Sequence, residues 1–238
     1  MPIQTIEPQR LYRQIAEQLR SLINSGEFAV GSRLPAEREL AKQLCVSRPS
    51  VREALIALEV EKVVEVRGGS GIYVLKPKKR QASLKSSGKS VEWGPLELMR
   101  ARELVESEVA ALAARHAKKS DLQTMEDALQ QMRNEVAQGQ IPREGDEAFH
   151  NAIAQACGNE VLRDTVRGYW QARHGTLFER LGDYFEDDIS WDAALTEHAA
   201  VLKAIRSRNA AASRSAMHRH LKNAHKRYSV SWRRAKPF

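Results

Sequence analysis

Apolar positions divide the chain into two helical blocks that meet near residue 80. In the first block, apolar residues three or four positions apart predict helices within residues 10–26, 36–45 and 48–62. Two short β-branched runs follow, "VVEV" and "IYVL", and the "RGGSG" between them predicts a β-hairpin with glycines at its tip. Helix, helix, tight turn, helix and hairpin is the order of a winged helix-turn-helix.

The second block, from Pro95 to about Tyr228, has helical periodicity nearly throughout. It predicts six helices, which lie within residues 96–119, 121–139, 143–157, 159–181, 191–207 and 209–229. The second of these is expected to be capped by Ser120 or Asp121, and the fourth is expected to run unbroken. Short connections favour an antiparallel bundle. The fold as a whole is therefore predicted to be mainly α.

Composition separates the two predicted domains. Residues 77–94 are rich in lysine, serine and glycine and lack periodicity, which indicates a basic flexible linker. It would join a winged domain at 1–76 to a helical domain at 95–238. The formal charge is +8 and the pI about 9.6, which favours an anionic partner. Residues 222–238 contain six basic residues and no acid, and they form a basic tail.

Cysteine usage and hydropathy predict the compartment. Cys45 and Cys157 have neither zinc-finger nor CxxC spacing, and two cysteines in a chain of 238 residues favour a reducing environment. The N-terminus lacks a basic-then-apolar signal pattern, and no apolar run approaches membrane-spanning length. The sequence therefore predicts a cytoplasmic protein without a membrane partner.

The third predicted helix is the one that a winged helix-turn-helix lays in the major groove. Arg48 and Arg52 lie four residues apart and project together from the side opposite Val51 and Leu55. Arginines reach guanine edges or phosphates, hydroxyls reach phosphates, and a glycine tip lets the backbone approach a groove. The residues expected to contact DNA are Arg38, Ser47, Arg48, Ser50, Arg52, Arg67 and Gly69. The alternative is that the arginines form a solvated helix face.

A second candidate site lies in the helical block. In "GDEAFHNAIAQACGN", Asp146 and His150 lie one turn apart on the face that enters the core. His198 and His220 are predicted at similar heights in the last two antiparallel helices, about 12 and 15 Å from their turn. Three imidazoles and a carboxylate suit one divalent metal per chain, with zinc preferred and nickel, manganese or iron(II) as alternatives. The alternative for each residue is a satisfied polar group in the core.

The first block resembles a known family. "GSRLPAERELAKQLCVSRPSVREALIALEVEKVVEVRGGSGIYVL" is similar to the DNA-binding domain of GntR-family transcriptional regulators over its whole length. The resemblance implies operator DNA as a partner, contacted at Arg38, Arg48, Arg52 and Gly69. Lys62 stands where the family usually has glycine, at the turn into the wing. A positive φ at a residue with a side chain would cost about 1 kcal/mol there.

The second block resembles the effector domain of the FadR-type subfamily, on Arg102 with Glu106, "DEAFH", "HAAVLKAI" and "MHRHL". In metal-binding members the ligands fall at Asp146, His150, His198 and His220, and the resemblance implies that small carboxylates bind beside the metal. Members that bind acyl-CoA lack this histidine set. "GPLELMRARELVES", "AMHRHLKN" and the pair Trp170 and Arg173 are also similar to hexuronate-utilisation repressors.

These observations predict a ligand-responsive repressor that binds a palindromic operator as a homodimer. A carboxylate effector, such as a hexuronate, is expected to bind the metal and accept a hydrogen bond from Arg102 or Arg173. Trp170 is expected either to stack on a sugar face or to pack in the bundle core. The main alternative is a metal-dependent enzyme acting on a small carboxylate and fused to a DNA-binding module. Nonspecific DNA binding is a third possibility.

Overall fold

The computed structural model describes residues 10–67, 69–76, 93–174, 178 and 188–234. These residues separate into two compact units, one of residues up to 96 together with those from 230 onward, and one of residues 97–229. They form nine helices and one two-stranded sheet, so that the prediction of a mainly helical chain is confirmed. Among the described helices, none combines the length and the apolar character that crossing a membrane requires.

The first unit is a winged helix-turn-helix, as predicted. Its elements are α1 (Leu11–Asn24), α2 (Glu37–Gln43), α3 (Arg48–Val60), β1 (Val64–Arg67) and β2 (Gly71–Val74). The two strands pair antiparallel, with Val64 opposite Val74 and Arg67 opposite Gly71. Gly26, two residues after the end of α1, has a φ of 85°, a conformation that glycine adopts without strain.

The core of this unit forms where the sequence pattern places it. Val51, Leu55 and Leu58 on α3 are completely buried, and they share the core with Ile15 and Leu19 of α1. Burying one such side chain stabilises the fold by about 1.5–3 kcal/mol. The apolar face of α3 therefore fixes which of its residues remain on the outside.

The turn into the wing holds its shape without the usual glycine. Lys62 has a φ of 57°, in the left-handed region, as its position predicts. Its backbone N–H bonds to the carbonyl of Glu59 at 2.8 Å, and the N–H of Val63 bonds to that of Leu58 at 2.9 Å. The buried Glu59 carboxylate also accepts from the N–H of Val66 at 2.8 Å. These bonds tie the wing to α3 and offset the strain at Lys62.

The second unit is built from six described helices. They are α4 (Pro95–His116), α5 (Lys119–Ala137), α6 (Arg143–Gln155), α7 (Glu160–Arg173), α8 (Asp188–Arg206) and α9 (Ala210–Arg234). Their core is rich in alanine, methionine and other apolar residues, with Phe149, Met125 and Met132 completely buried. Gly145 on α6 allows this packing, since a Cβ there would lie 2.7 Å from the backbone nitrogen of Met132. The approach of α6 to α5 sets the depth of the adjacent Asp146.

Two local predictions in this unit are wrong. The fourth helix was expected to continue to residue 181, but α7 ends at Arg173, and most of the remaining predicted stretch lies outside the described residues. Lys118, rather than Ser120 or Asp121, occupies the N-cap position of α5. Asp121 instead accepts a hydrogen bond from the backbone N–H of Lys118 at 2.7 Å, because a carboxylate at the third helical position can reach back to the cap.

Candidate metal centre and nucleic-acid interface

The predicted DNA-reading arginines are held by a residue that the sequence pattern did not identify. The Arg52 guanidinium donates two hydrogen bonds to the Glu37 carboxylate, at 3.0 and 2.8 Å. Arg48 Nε lies 3.5 Å from the same carboxylate, while Arg38 on α2 is exposed. Glu37 therefore gathers Arg48 and Arg52 on one side of α3. For Arg52, whose side chain is 15% exposed, this is not a freely solvated face.

Ser47 and Ser50 lie at the N-terminus of α3. Ser47 Oγ accepts from the backbone N–H of Ser50 at 3.3 Å, so Ser47 caps the helix. The two hydroxyls are 2.8 Å apart. A helix N-terminus favours negative charge, which suits the predicted contact of these hydroxyls with a DNA phosphate. That contact stays a prediction.

Of the two predicted DNA contacts in the wing, Arg67 packs against the wing itself. Arg67 Nε donates to Glu65 at 2.8 Å, and its guanidinium lies over the Tyr73 ring at 4.4 Å. Gly69 is exposed, has a φ of 73° and has open space around it, as a tip that approaches a groove requires. Arg67 would have to leave Glu65 to contact DNA, and both contacts stay predictions.

The four predicted metal ligands come together in the helical unit. One potential ligand atom from each of Asp146, His150, His198 and His220 lies within 4.8 Å of those from the other three, and all four residues are buried. His198 Nε2 lies 3.0 Å from Asp146 Oδ1 and 3.3 Å from His150 Nε2. Two ligands of one ion, each about 2.1 Å from it, stand roughly 3.0–3.4 Å apart. The spacing of Asp146 Oδ1, His150 Nε2 and His198 Nε2 fits a single ion.

Each histidine is oriented by an acceptor at its other ring nitrogen. His198 Nδ1 donates to the Ala194 carbonyl at 2.7 Å, and His220 Nδ1 donates to Glu197 at 2.9 Å. His150 Nδ1 donates to Glu106. A neutral imidazole that donates from Nδ1 has its lone pair on Nε2. Three lone pairs and a carboxylate oxygen therefore face one another, an arrangement that a divalent cation stabilises and that is repulsive without a cation or proton.

The pKa values agree with a cation-binding centre. Burial lowers the pKa of His220 to about 3, with a further contribution from His198, so His220 is neutral at pH 7. Burial would raise the pKa of Asp146, but hydrogen bonds from His150 and His198 outweigh it and hold that pKa well below its usual value. Burial would lower the pKa of His150, but Glu106 outweighs it and raises that pKa. The raised pKa of His150 and the lowered pKa of Asp146 both indicate a centre that favours positive charge.

Arg102 and Glu106 form a buried support for His150. Arg102 Nε donates to Glu106 at 2.6 Å, and both side chains are only 2% exposed. Burial would raise the pKa of Glu106, but Arg102 and His150 lower it to about 2, so the carboxylate stays charged. Arg102 was predicted to bind an effector. Its pairing with Glu106 in the core supports His150, and its contact with an effector stays a prediction.

Arg173 and Trp170 border the centre on α7. Arg173 Nη1 donates to Asp146 Oδ2 at 3.2 Å. The guanidinium groups of Arg102 and Arg173 each lie 4.3 Å from the Trp170 ring centre, and the ring is 3% exposed. These contacts favour the interpretation of Trp170 as a packed aromatic over one that stacks on a sugar. Its indole N–H is buried without a hydrogen-bond partner among the described residues.

Two glutamates with central roles were missed by the sequence reasoning. Glu106 was recognised only as part of a motif, although its spacing of four from Arg102 indicates an ion pair. Glu197 gave no signal, because a residue adjacent to His198 lies about 100° around the helix from it. Glu147, next to Asp146 in the chain, pairs with the exposed His174 at 2.9 Å.

A winged helix-turn-helix joined to a helical domain with a buried histidine–aspartate cluster defines a class of DNA-binding regulators, and comparison with known proteins gives the family. The family model "Bacterial regulatory proteins, gntR family" matches residues 11–74, and the model "FCD domain" matches residues 97–223. The chain belongs to the GntR family and has the FCD domain of its FadR-type subfamily. The resemblance found in the sequence is confirmed.

Curated relatives match along most of their length. The "Uxu operon transcriptional regulator" of Escherichia coli K12 is 38% identical over 224 residues, which cover 92% of this chain and 87% of that protein. The "Exu regulon transcriptional regulator" of the same strain is 39% identical over 220 residues, 91% and 84% of the two chains. The solved structure "E. coli McbR/YncC", at 20% identity and a TM-score of 0.50, covers 94% of this chain and 99% of its own, and supports the fold alone.

These relatives decide between the regulator and the enzyme. Both relatives are transcriptional regulators, and their alignments with this chain cover most of each protein. The match extends through the helical domain as well as the DNA-binding domain. The chain is therefore a GntR-family transcriptional regulator that binds DNA and is not an enzyme.

Proposed function

We propose that this protein is a repressor of a sugar-acid utilisation operon. Its affinity for DNA changes when a carboxylate binds a divalent metal in the helical domain. The observation that supports this most strongly is the convergence of Asp146, His150, His198 and His220, with an acceptor at each histidine Nδ1. Zinc is the proposed ion, with nickel, manganese and iron(II) as alternatives, because imidazole and carboxylate suit all four. The metal supplies a Lewis-acidic position for an anionic oxygen.

The charge around the centre supports an anionic effector. Among the described side chains at the ligands and their supports, three carboxylates face three guanidinium groups, namely Asp146, Glu106 and Glu197 with Arg102, Arg173 and Arg227. These charges cancel, and the histidines are neutral as ligands. A divalent ion therefore leaves an excess of about two positive charges in a buried region, which an anion offsets and a neutral sugar does not.

Arg173 is the residue we propose to bind the effector carboxylate. It lies beside the ligand Asp146, its side chain is 16% exposed, and a guanidinium offers five N–H donors in a planar fork. The buried indole N–H of Trp170, next to Arg173, is a further donor suited to an effector oxygen. The names of the Uxu and Exu relatives support a hexuronate as the effector.

On the DNA side, we propose binding to a palindrome by a homodimer in which each copy places α3 in one major groove. One recognition helix reads only a few bases, so two half-sites are needed for useful specificity. The relatives' role as operon regulators supports an operator of this kind. The predicted contacts are Arg38, Ser47, Arg48, Ser50, Arg52, Arg67 and Gly69.

Calorimetry with zinc-loaded protein tests the effector site. Glucuronate and galacturonate should bind, whereas glucose and galactose should not. Arg173→Gln should weaken acid binding about 10- to 100-fold, because a charge-assisted hydrogen bond is lost. Arg167→Gln is the matched control, since Arg167 lies on the same helix with a side chain that is 56% exposed, and it should bind as the wild type does. Equal binding of acids and neutral sugars, or unchanged affinity in Arg173→Gln, would contradict the proposed site.

A further inference from the structure

A single carboxylate joins the metal ligand His220 to the later part of the last helix. Glu197 on α8 accepts from His220 Nδ1 at 2.9 Å and from Asn223 Nδ2 at 2.8 Å. It also accepts two hydrogen bonds from the Arg227 guanidinium, at 3.1 and 3.0 Å. His220, Asn223 and Arg227 lie on one face of α9, because residues three, four and seven apart align along a helix.

These four hydrogen bonds fix the carboxylate in one orientation. Each oxygen of Glu197 receives one bond from Arg227 and one from another residue, so the carboxylate cannot rotate without losing bonds at both oxygens. The Glu197 carboxylate in turn sets the ring plane and the tautomer of His220. Groups that orient a ligating histidine in this way typically change metal affinity by about 10- to 100-fold.

The equivalent support at His150 is placed differently. There Glu106 and Arg102 are each 2% exposed, and both belong to α4. At His220 the supporting side chains are 16% exposed for Glu197 and 25% exposed for Arg227, and they bridge two helices. A shift of α9 relative to α8 would therefore break the support at His220 but not the support at His150.

From this geometry we infer that Glu197, held by Asn223 and Arg227, is the positioning residue for His220, and that the segment of α9 from residue 220 to residue 227 sets the metal affinity. The inference rests on the proposed metal centre and adds its means of regulation. Displacing Arg227 from Glu197 lowers metal affinity, and metal binding in turn holds Arg227 in place, because coupling between two binding events is reciprocal.

The test measures zinc affinity by competition with a chelator in the full-length protein. Arg227→Gln and Glu197→Gln should each bind zinc about 10- to 100-fold more weakly than the wild type. Arg227→Lys, which keeps the charge without the fork, should recover part of the loss. The absorption spectrum of bound cobalt(II) should also change in Arg227→Gln, since it reports ligand geometry at the metal.

A second glutamate–arginine bridge onto α9 provides the matched control. Arg214 donates to Glu108 at 2.5 and 2.7 Å, and neither residue contacts a metal ligand among the described contacts. Arg214→Gln and Glu108→Gln should keep wild-type zinc affinity and the wild-type cobalt spectrum. An equal loss of affinity in Arg214→Gln and Arg227→Gln would reveal general destabilisation and overturn the inference.

The remaining outcomes separate the inference from the proposal on which it rests. Wild-type protein that binds zinc, with Arg227→Gln within about twofold of it, would overturn the role of the Glu197 bridge and leave the metal centre intact. Wild-type protein that binds no divalent metal would overturn the metal centre itself. Should Glu197→Gln fail to fold, Arg227→Gln decides the question, because its side chain is partly exposed.

Discussion

Replacing His198 by alanine should remove the bound metal and with it most of the stabilisation that the metal provides. Wild-type protein should contain about one divalent ion per chain, because the four ligand atoms form one cluster. At a free zinc concentration 100 times the dissociation constant, binding stabilises the folded state by about 2.7 kcal/mol. For a unit of this size that corresponds to a rise in the melting temperature of roughly 10 °C.

The comparison that matters is the zinc-induced rise in the melting temperature, since His198 is completely buried and its loss leaves a cavity. His198→Ala should show less than about a tenth of the wild-type rise at the same zinc concentration. His218→Ala is the control, because His218 lies on α9 two residues from His220 but is exposed and faces Glu103. It should behave as the wild type. Elemental analysis that finds no metal in the wild type, even after reconstitution, would refute the centre.

Replacing Arg52 by alanine should abolish most of the preference for operator over random DNA. The operator is first selected from random sequences by the wild-type protein, and it should be a palindrome. A bidentate arginine–guanine contact discriminates by about 1–3 kcal/mol. Two half-sites double this, so that the specificity ratio should fall by at least about 30-fold. Glu37 holds Arg52 and Arg48 together, and Arg48→Ala should therefore have a similar effect.

Arg20→Ala is the control for the loss of one positive charge. Arg20 is on α1, pairs with Glu61 and is not among the predicted DNA contacts. Its replacement should weaken operator and random DNA alike, because a lost charge acts on the phosphate backbone of any sequence. An unchanged specificity ratio in both Arg52→Ala and Arg48→Ala would show that α3 does not read the operator.

The sequence predicts the helices and the residues that share a helical face, because both follow from helical periodicity. Val51, Leu55 and Leu58 recur on one face of α3, and their burial forces Arg48 to the other side. The same rule places Asp146 and His150 together, because they lie one turn apart on a single helix. The wing was predictable for a different reason, since two β-branched runs around a glycine-rich turn have few alternatives.

The positions of His198 and His220 required one more step. Their similar distances from the turn between α8 and α9 set them side by side, and their ring centres are 4.2 Å apart. That step depends only on the constant rise of a helix. The remaining ligands, Asp146 and His150, lie on α6, and the sequence alone suggested that they meet the two histidines only through the inward faces of the helices.

Contacts that depend on side-chain packing could not be predicted. The sequence does not show that Arg102 is buried against Glu106 and Trp170, because it gives no measure of depth in the core. Glu197 lies beside His198 in the chain yet contacts residues of α9. The end of α7 at Arg173 also differs from the prediction, since apolar residues continue the helical pattern beyond it.

The central claim is that a metal-bound carboxylate controls operator binding, and one titration tests it directly. Galacturonate, glucuronate and their neutral parent sugars are added to the protein–operator complex, with the metal present and after its removal. The acids should change operator affinity at least tenfold when metal is present, which requires only about 1.4 kcal/mol of coupling. Neutral sugars should have no effect, and neither should the acids on His150→Ala or His198→Ala. An equal response to acids and neutral sugars, or an acid response that survives the loss of both histidines, would contradict the account.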